Sequence, residues 1–281
     1  MSPVPELAKD FAFGLVASAL IAVPAWRKRS LSGSGLAAAI PFGAAVWAGA
    51  GWKGFVVLGS FFFSSSILSK LFPAPASVEA VVEKGGRRDH VQVIANGGAA
   101  LAFAVLYRFE PRELWYLGFA CALAAATADT WASELGPRSK APPRMILSGR
   151  SVEAGLSGGV SPLGFAASLA GAAFIAGAAV GLLALPELAR GQLRLSRVLQ
   201  ALLVTGAGFT GSVIDSILGE FFQARYRRGD GSATERASER RPEGRVANRL
   251  EKGAAWFDNN VVNFLSTLAA SQLAWLALLV R

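Results

Sequence analysis

Phe11-Ala-Phe-Gly-Leu-Val-Ala-Ser-Ala-Leu-Ile-Ala-Val-Pro-Ala-Trp26 is an apolar run followed at once by Arg27-Lys-Arg29. A cleaved secretory leader carries its positive charge before the apolar run, and here the order is inverted, so the run reads as a retained first membrane span. The remainder of the chain has the same character: 53% of its 281 residues are apolar and only 17% are charged. That balance excludes a disordered chain and argues against a water-soluble globule.

Apolar stretches of roughly bilayer length fall near 6–26, 34–51, 54–72, 91–108, 113–131, 160–186, 197–222 and 260–280. The fold class expected is all-α, a polytopic transmembrane helical bundle of about eight spans forming a single integral membrane domain over 1–281. Only the tight turn Gly51-Trp-Lys-Gly54 separates the second and third stretches. They should form an antiparallel hairpin, and the count falls to six or seven if they make one re-entrant unit.

Charge supplies an independent reading. Of 28 Lys and Arg, 20 fall in the connections after the first, third, fifth and seventh spans, and 8 fall on the other side. The positive-inside rule then places these connections, including loops 132–159 and 223–257, on the cytoplasmic or stromal side with both termini opposite. The 223–257 loop is polar and almost without apolar residues, which predicts a solvated, mobile segment. The formal charge of +9 thus orients the chain. No basic stretch is interleaved with aromatics, so nucleic acid is not an expected partner. Cys121 is the single cysteine, which excludes an internal disulfide framework and a Cys-based zinc site.

Polar side chains at membrane depth are costly unless paired or wet, so their positions carry information. Asn96 lies early in the fourth span, after Arg87 and Arg88; Asp129 lies at the end of the fifth, in Asp129-Thr-Trp-Ala-Ser-Glu-Leu-Gly136; Asp215-Ser-Ile-Leu-Gly219 lies late in the seventh; Asn260 and Asn263 open the eighth. All of these fall at helix ends facing the basic loops. Gly155-Leu-Ser-Gly-Gly-Val-Ser161 enters the sixth span on the same side, where backbone amides at a helix N-terminus suit an anion. Taken singly, each polar residue reads as a helix cap or interhelical hydrogen bond; five motifs on one face point to a shared site.

Hard oxygen ligands of this kind suit Mg²⁺ bridging phosphate oxygens better than zinc or a transition metal. Asp129, Glu134 and Asp215 are the expected metal ligands, with Asn260 alongside them in the catalytic set. Arg87, Arg88, Asn96, Thr130, Ser133, Ser161, Ser216 and Asn263 are the expected phosphate and substrate contacts. Five helical positions separate Asp129 from Glu134, which puts them about 140° apart; they share one site only if the helix ends or bends near Gly136. Trp131 is a candidate wall of the site, and the small residues Gly164, Ala167, Gly171, Gly177 and Gly181 mark a helix-packing face. No Gly-x-x-x-x-Gly-Lys-Ser/Thr loop and no protein-kinase motif set occurs, so any nucleotide must be held through carboxylate-bound metal and arginines.

Together with Leu31-Ser-Gly-Ser-Gly-Leu-Ala-Ala-Ala39 and Val91-Gln-Val-Ile-Ala-Asn-Gly97, these motifs resemble the integral membrane family that includes eukaryotic transmembrane protein nineteen and the phytyl phosphate kinases of plants and cyanobacteria. The resemblance covers most of the chain. It implies a kinase that adds a second phosphate to a prenyl monophosphate at the bilayer surface, using a CTP-like nucleoside triphosphate and Mg²⁺. The Asp-Thr-Trp-Ala-Ser-Glu and Val-Gln-Val motifs lie nearer the transmembrane protein nineteen branch. Asp215 stands where the plant kinases carry Glu, and the loop after the seventh span is longer, which leaves the prenyl substrate open. A secondary transporter of a small or lipid-linked anion is the alternative, given the loose echo between the Asp129 and Asp215 motifs; such a site belongs near the bilayer midplane. A scaffold without catalysis would not need carboxylates, amides and arginines on one face.

Overall fold

The computed structural model describes residues 4–82, 86–241 and 244–280. Lys84 and Arg281, counted in the charge division, lie outside the described residues. The chain is a helical membrane protein: α1 (Val4–Arg27), α2 (Gly33–Leu71), α3 (Ala76–Val81), α4 (His90–Phe109), α5 (Glu113–Leu135), α6 (Pro162–Leu188), α7 (Leu195–Phe221) and α8 (Asn259–Gln272). Among the described residues, α1, α2, α4, α6 and α7 are the five helices long and apolar enough to cross a bilayer.

α2 contains 39 residues, about 58 Å if straight, nearly twice the hydrocarbon thickness. It does not run straight. Gly51 adopts φ 66° and ψ −169°, a backbone region open essentially only to glycine, and the chain turns back on itself there. Arg88 measures the result: its carbonyl accepts from the Ser32 amide at 3.0 Å, and its guanidinium donates to Ser66 Oγ at 3.0 Å. Both ends of α2 therefore meet the start of α4, as the hairpin reading requires.

α5 is the central helix. Every residue from Tyr116 to Ala128 is buried, and α4, α6, α7 and α8 pack around it. A helix apolar on all sides belongs in a core, and its alanines admit close neighbours. A Cβ on Gly208 would lie 2.6 Å from Ala124 Cβ, and one on Gly211 would lie 2.5 Å from Ala125 Cβ. The α6 stripe is only partly a packing face: Gly171 abuts the Thr127 carbonyl, whereas Gly177 and Gly181 look onto open space. Spacing alone does not say which stretch of a helix meets a neighbour.

At one end of the bundle, Arg197 donates to both Glu113 and Glu187, tying α5, α6 and α7 together. Asp10 pairs with Arg108 at 3.7 Å, and the Trp115 ring meets Trp275 edge-on at 5.5 Å there. The other end carries the long loops. Strands β1 (Arg144–Met145) and β2 (Gly159–Val160) pair antiparallel, and β3 (Arg225–Arg227), β4 (Ala233–Thr234), β5 (Ser238–Arg241), β6 (Gly244–Ala247) and β7 (Arg249–Lys252) build two small sheets, β4-β3-β7 and β5-β6.

Segment 223–257 thus has regular structure that its composition hides. Thr234 Oγ1 and the Glu235 amide both donate to the Val81 carbonyl at 3.0 and 2.9 Å, and Arg236 Nε donates to Val82 O at 2.8 Å. Backbone pairing and arginine hydrogen bonds hold it over α3, with Ala224, Tyr226 and Phe257 as its buried apolar residues. The two long loops touch, the Ser157 amide donating to Glu235 at 2.9 Å, and the first loop also meets the end of α7, where the Leu147 amide donates to Glu220 at 2.9 Å.

Candidate active site

A cavity of about 580 Å³ opens at the end of the bundle that carries these loops, within the size range of small-molecule sites. The ends of α4, α5, α6, α7 and α8 surround it. Ten residues expected from the sequence line it: Arg88, Asn96, Asp129, Thr130, Ser133, Glu134, Ser161, Asp215, Ser216 and Asn263. Arg87 and Asn260 do not. Arg87 is exposed, and Asn260 is buried with its amide donating to Asp258 at 2.8 Å. Asp258 caps α8 by accepting from the Asn260 and Val261 amides, so helix capping accounts for this pair and Asn259 reaches the cavity instead.

The carboxylates divide into two groups. Asp129 and Asp215, on α5 and α7, lie close enough to repel each other, and Ser266 Oγ donates to Asp215 at 3.1 Å. Glu134 sits elsewhere on the wall. α5 stays helical through Leu135, so the angular separation from Asp129 persists; Glu134 accepts from Ser69 on α2 and feels the charges of Arg88 and Arg138. Among the described residues no three acidic, His or Cys side chains converge on one point. A single three-carboxylate cage of Asp129, Glu134 and Asp215 is therefore not what the geometry offers. Two carboxylates on the lining of one cavity are still a donor set that suits Mg²⁺, which takes one or two carboxylates plus substrate phosphate oxygens.

The hydroxyls are committed in one direction. Thr130 donates to Ala126 O at 2.7 Å, Ser133 to Asp129 O at 2.8 Å and Ser216 to Ser212 O at 3.2 Å, each four residues back along its own helix. Their protons are used, so toward the cavity they present lone pairs that suit a cation or water better than a phosphate oxygen. Ser161 is doubly occupied: it caps α6 by accepting from the Gly164 amide and donates to the Gly136 carbonyl at 3.0 Å.

Donors come from another wall. Arg88 stands at the mouth of α4 with its guanidinium over the Phe61 and Phe62 rings at 5.8 and 5.6 Å. Burial lowers its pKa from the ordinary value, and the Glu134 carboxylate works against that. Asn263 donates to Asn96 Oδ1 at 3.4 Å, while its own buried Oδ1 has no hydrogen-bond partner. The buried Ser168 Oγ, also on the cavity wall, has none either. Unpaired buried polar atoms are costly, and two on one cavity wall mark where a ligand or water belongs.

Ser69, Gln92, Ser168, Ser212, Glu235 and Arg236 also line the cavity without having been singled out from the sequence. Ser168 follows Ser161 by seven residues and Ser212 precedes Asp215 by three, so helical spacing was a usable signal for both. Glu235 and Arg236 arrive through the fold of the 223–257 segment, which no local pattern announces. Trp131 stacks on Phe174 at 5.5 Å and packs against Gly171, outside the cavity wall.

The model of the family described as "Integral membrane protein DUF92" matches residues 16–271. Protein PGR of Arabidopsis thaliana is 31% identical over 290 aligned residues, covering 94% of this chain and 95% of that protein. An uncharacterized membrane protein of Methanocaldococcus jannaschii is 31% identical over 62% of the chain and 66% of its own length. Protein VTE6, chloroplastic, of Arabidopsis thaliana is 29% identical over 51% of the chain and 45% of its own length. No solved structure matches.

Proposed function

The chain belongs to the DUF92 family of integral membrane proteins, and on that premise we propose that it is a multi-pass prenyl phosphate kinase. The reaction transfers the terminal phosphoryl group of a nucleoside triphosphate, CTP-like, to a phytyl-like prenyl monophosphate. The bond between the terminal phosphorus and its bridging oxygen breaks, a bond to an acceptor phosphate oxygen forms, and a prenyl diphosphate and a nucleoside diphosphate leave. The observation that carries this reading is the single cavity whose lining brings the Asp129 and Asp215 carboxylates and the Arg88 guanidinium together.

The acceptor is already an anion, so no strong general base is needed; the protein's work is positioning and charge neutralisation. Arg88 supplies a fixed cationic fork for the acceptor phosphate. The amides of Asn96 and Asn263 orient phosphate oxygens without adding charge. Asp129 and Asp215 are the residues that would hold Mg²⁺, which supplies charge neutralisation for the triphosphate when bound. The loop from Gly155 to Ser161, lying over the cavity, excludes water from the transferring group. A prenyl tail needs the bilayer and its head needs the aqueous face, and a cavity at helix ends meets both demands. A transporter's site would lie nearer the midplane.

The test is direct: purified protein in detergent is incubated with a panel of prenyl monophosphates, each of the common nucleoside triphosphates and Mg²⁺, and products are read by mass spectrometry. Prenyl diphosphate with one preferred nucleotide is the expected result. Absence of diphosphate in every combination, together with no binding of radiolabelled nucleotide, overturns the reading.

A further inference from the structure

A second cavity, of about 90 Å³, lies between α1, the α2 hairpin and α4. Its walls are almost wholly apolar, with Ile21 from α1 and Phe42, Phe55, Leu58 and Phe62 from both arms of α2. Its polar residues other than Ser18 are Arg88, Gln92 and Asn96, and the same three line the large polar cavity. The two spaces therefore share one wall. Arg88 stands on it, with its guanidinium over the slot-lining Phe61 and Phe62 rings and its field acting on Glu134 in the polar cavity.

We infer that this slot holds the first isoprene units of the acceptor lipid while its phosphate lies against Arg88 in the polar cavity. The assignment rests on the prenyl phosphate kinase reading for the identity of the tail. Continuity supports it: an amphiphile with an anionic head and a hydrocarbon tail needs an apolar slot and a cationic mouth sharing one boundary, and Arg88 is that boundary. The slot is too small for a whole chain, so it reads the head-proximal units and leaves the remainder to the bilayer. Recognition should then depend on the presence and branching of the first units and only weakly on total chain length.

The experiment uses a prenyl monophosphate carrying a diazirine on its first isoprene unit, photolysed with the purified protein in nanodiscs and mapped by mass spectrometry. Turnover of ordinary prenyl monophosphate is measured in parallel. Label is expected on peptides containing Ile21, Phe42 and Leu58. Ala39, half-buried on the slot wall, becomes a plug in Ala39→Phe; labelling should fall and KM for the prenyl monophosphate should rise about tenfold with little change in kcat. If that variant does not fold, the wild-type label map decides alone.

Label outside the slot, with normal turnover, overturns the slot and leaves the kinase reading standing. Label in the slot without diphosphate from any nucleotide upholds the slot as a lipid-phosphate site and overturns the kinase reading. An equally strong label from a straight-chain alkyl monophosphate probe overturns the isoprenoid assignment.

Discussion

Ser69 donates a hydrogen bond to the Glu134 carboxylate, joining the returning arm of the α2 hairpin to the last turn of α5. The contact fixes Glu134 beside Arg88 and away from Asp129, and the proposed kinase reading gives the carboxylates separate duties. Glu134→Gln is expected to keep Mg²⁺ binding and to lower KM for the lipid phosphate, because the carboxylate that competes with the acceptor anion for Arg88 is lost while the Ser69 contact can persist. Steady-state kinetics beside Mg²⁺ titration checks this. Loss of Mg²⁺ binding in Glu134→Gln would return Glu134 to the metal site.

Asp129 and Asp215 make the opposite prediction. Asp215 is buried and Asp129 half-buried, and like charges held close together repel, so Asp129→Asn or Asp215→Asn should hold or raise Tm in metal-free buffer while lowering turnover at least ~100-fold. A ligand that binds the folded state stabilises it by mass action. Millimolar Mg²⁺ should therefore raise the wild-type Tm, and chelation should reverse the effect. In the Asn variants the response should vanish; a wild-type Mg²⁺ shift in Asp129→Asn removes that residue from the metal site.

Arg87 and Arg88 are neighbours in sequence with different surroundings, one exposed and one on the cavity wall. Arg88→Gln should raise KM for the prenyl phosphate or lower kcat, and Arg87→Gln should leave both near wild type while altering, at most, insertion. Equal kinetic effects from the two substitutions would contradict this division.

How much of this was legible follows physical lines. Asn96, Asp129, Asp215 and Asn263 stood out because a polar group at membrane depth is expensive, and each of them faces the cavity. The Gly51 hairpin was legible from a tight turn between two bilayer-length runs. Asn260 lies off the cavity lining, with its amide bonded to the α8 cap residue Asp258, a position that the sequence does not distinguish from a cavity-facing one, and a doublet of arginines does not say which one points inward. Glu235 and Arg236 were invisible: their segment is held by backbone pairing and bonds to α3 carbonyls, which leave no hydrophobic period to read.

Gly158 separates packing from chemistry. Its φ is +84°, and a Cβ there would lie 2.6 Å from the Glu220 amide nitrogen, an atom that cannot swing aside. Gly158→Ala should cost at least ~2 kcal/mol of stability, from the left-handed backbone together with the clash. Gly177, in the middle of α6 with open space around it, should tolerate alanine with a change within about 1 kcal/mol. Thermal melts of the two variants in one detergent make the comparison; similar losses would show that Gly177 is a packing position after all.

The contact between Ser157 and Glu235 requires loops 132–159 and 223–257 to lie on one side of the membrane. From the division of 20 basic residues against 8 we predict that this side is the cytoplasmic or stromal one. Cys121 is fully buried, so a single introduced cysteine reports with little background. Cysteines replacing the exposed Arg150 and Arg240 should label together, and one replacing the exposed Gln192, beside the Glu187–Arg197 cluster at the other end of the bundle, should label from the opposite side. An impermeant maleimide applied to inside-out and right-side-out vesicles reads the outcome. If the first two label together from the extracytoplasmic side, the fold stands and the charge-based orientation is reversed. If they label from opposite sides, the packing of the two loops against each other is itself wrong, and with it the cavity that they enclose.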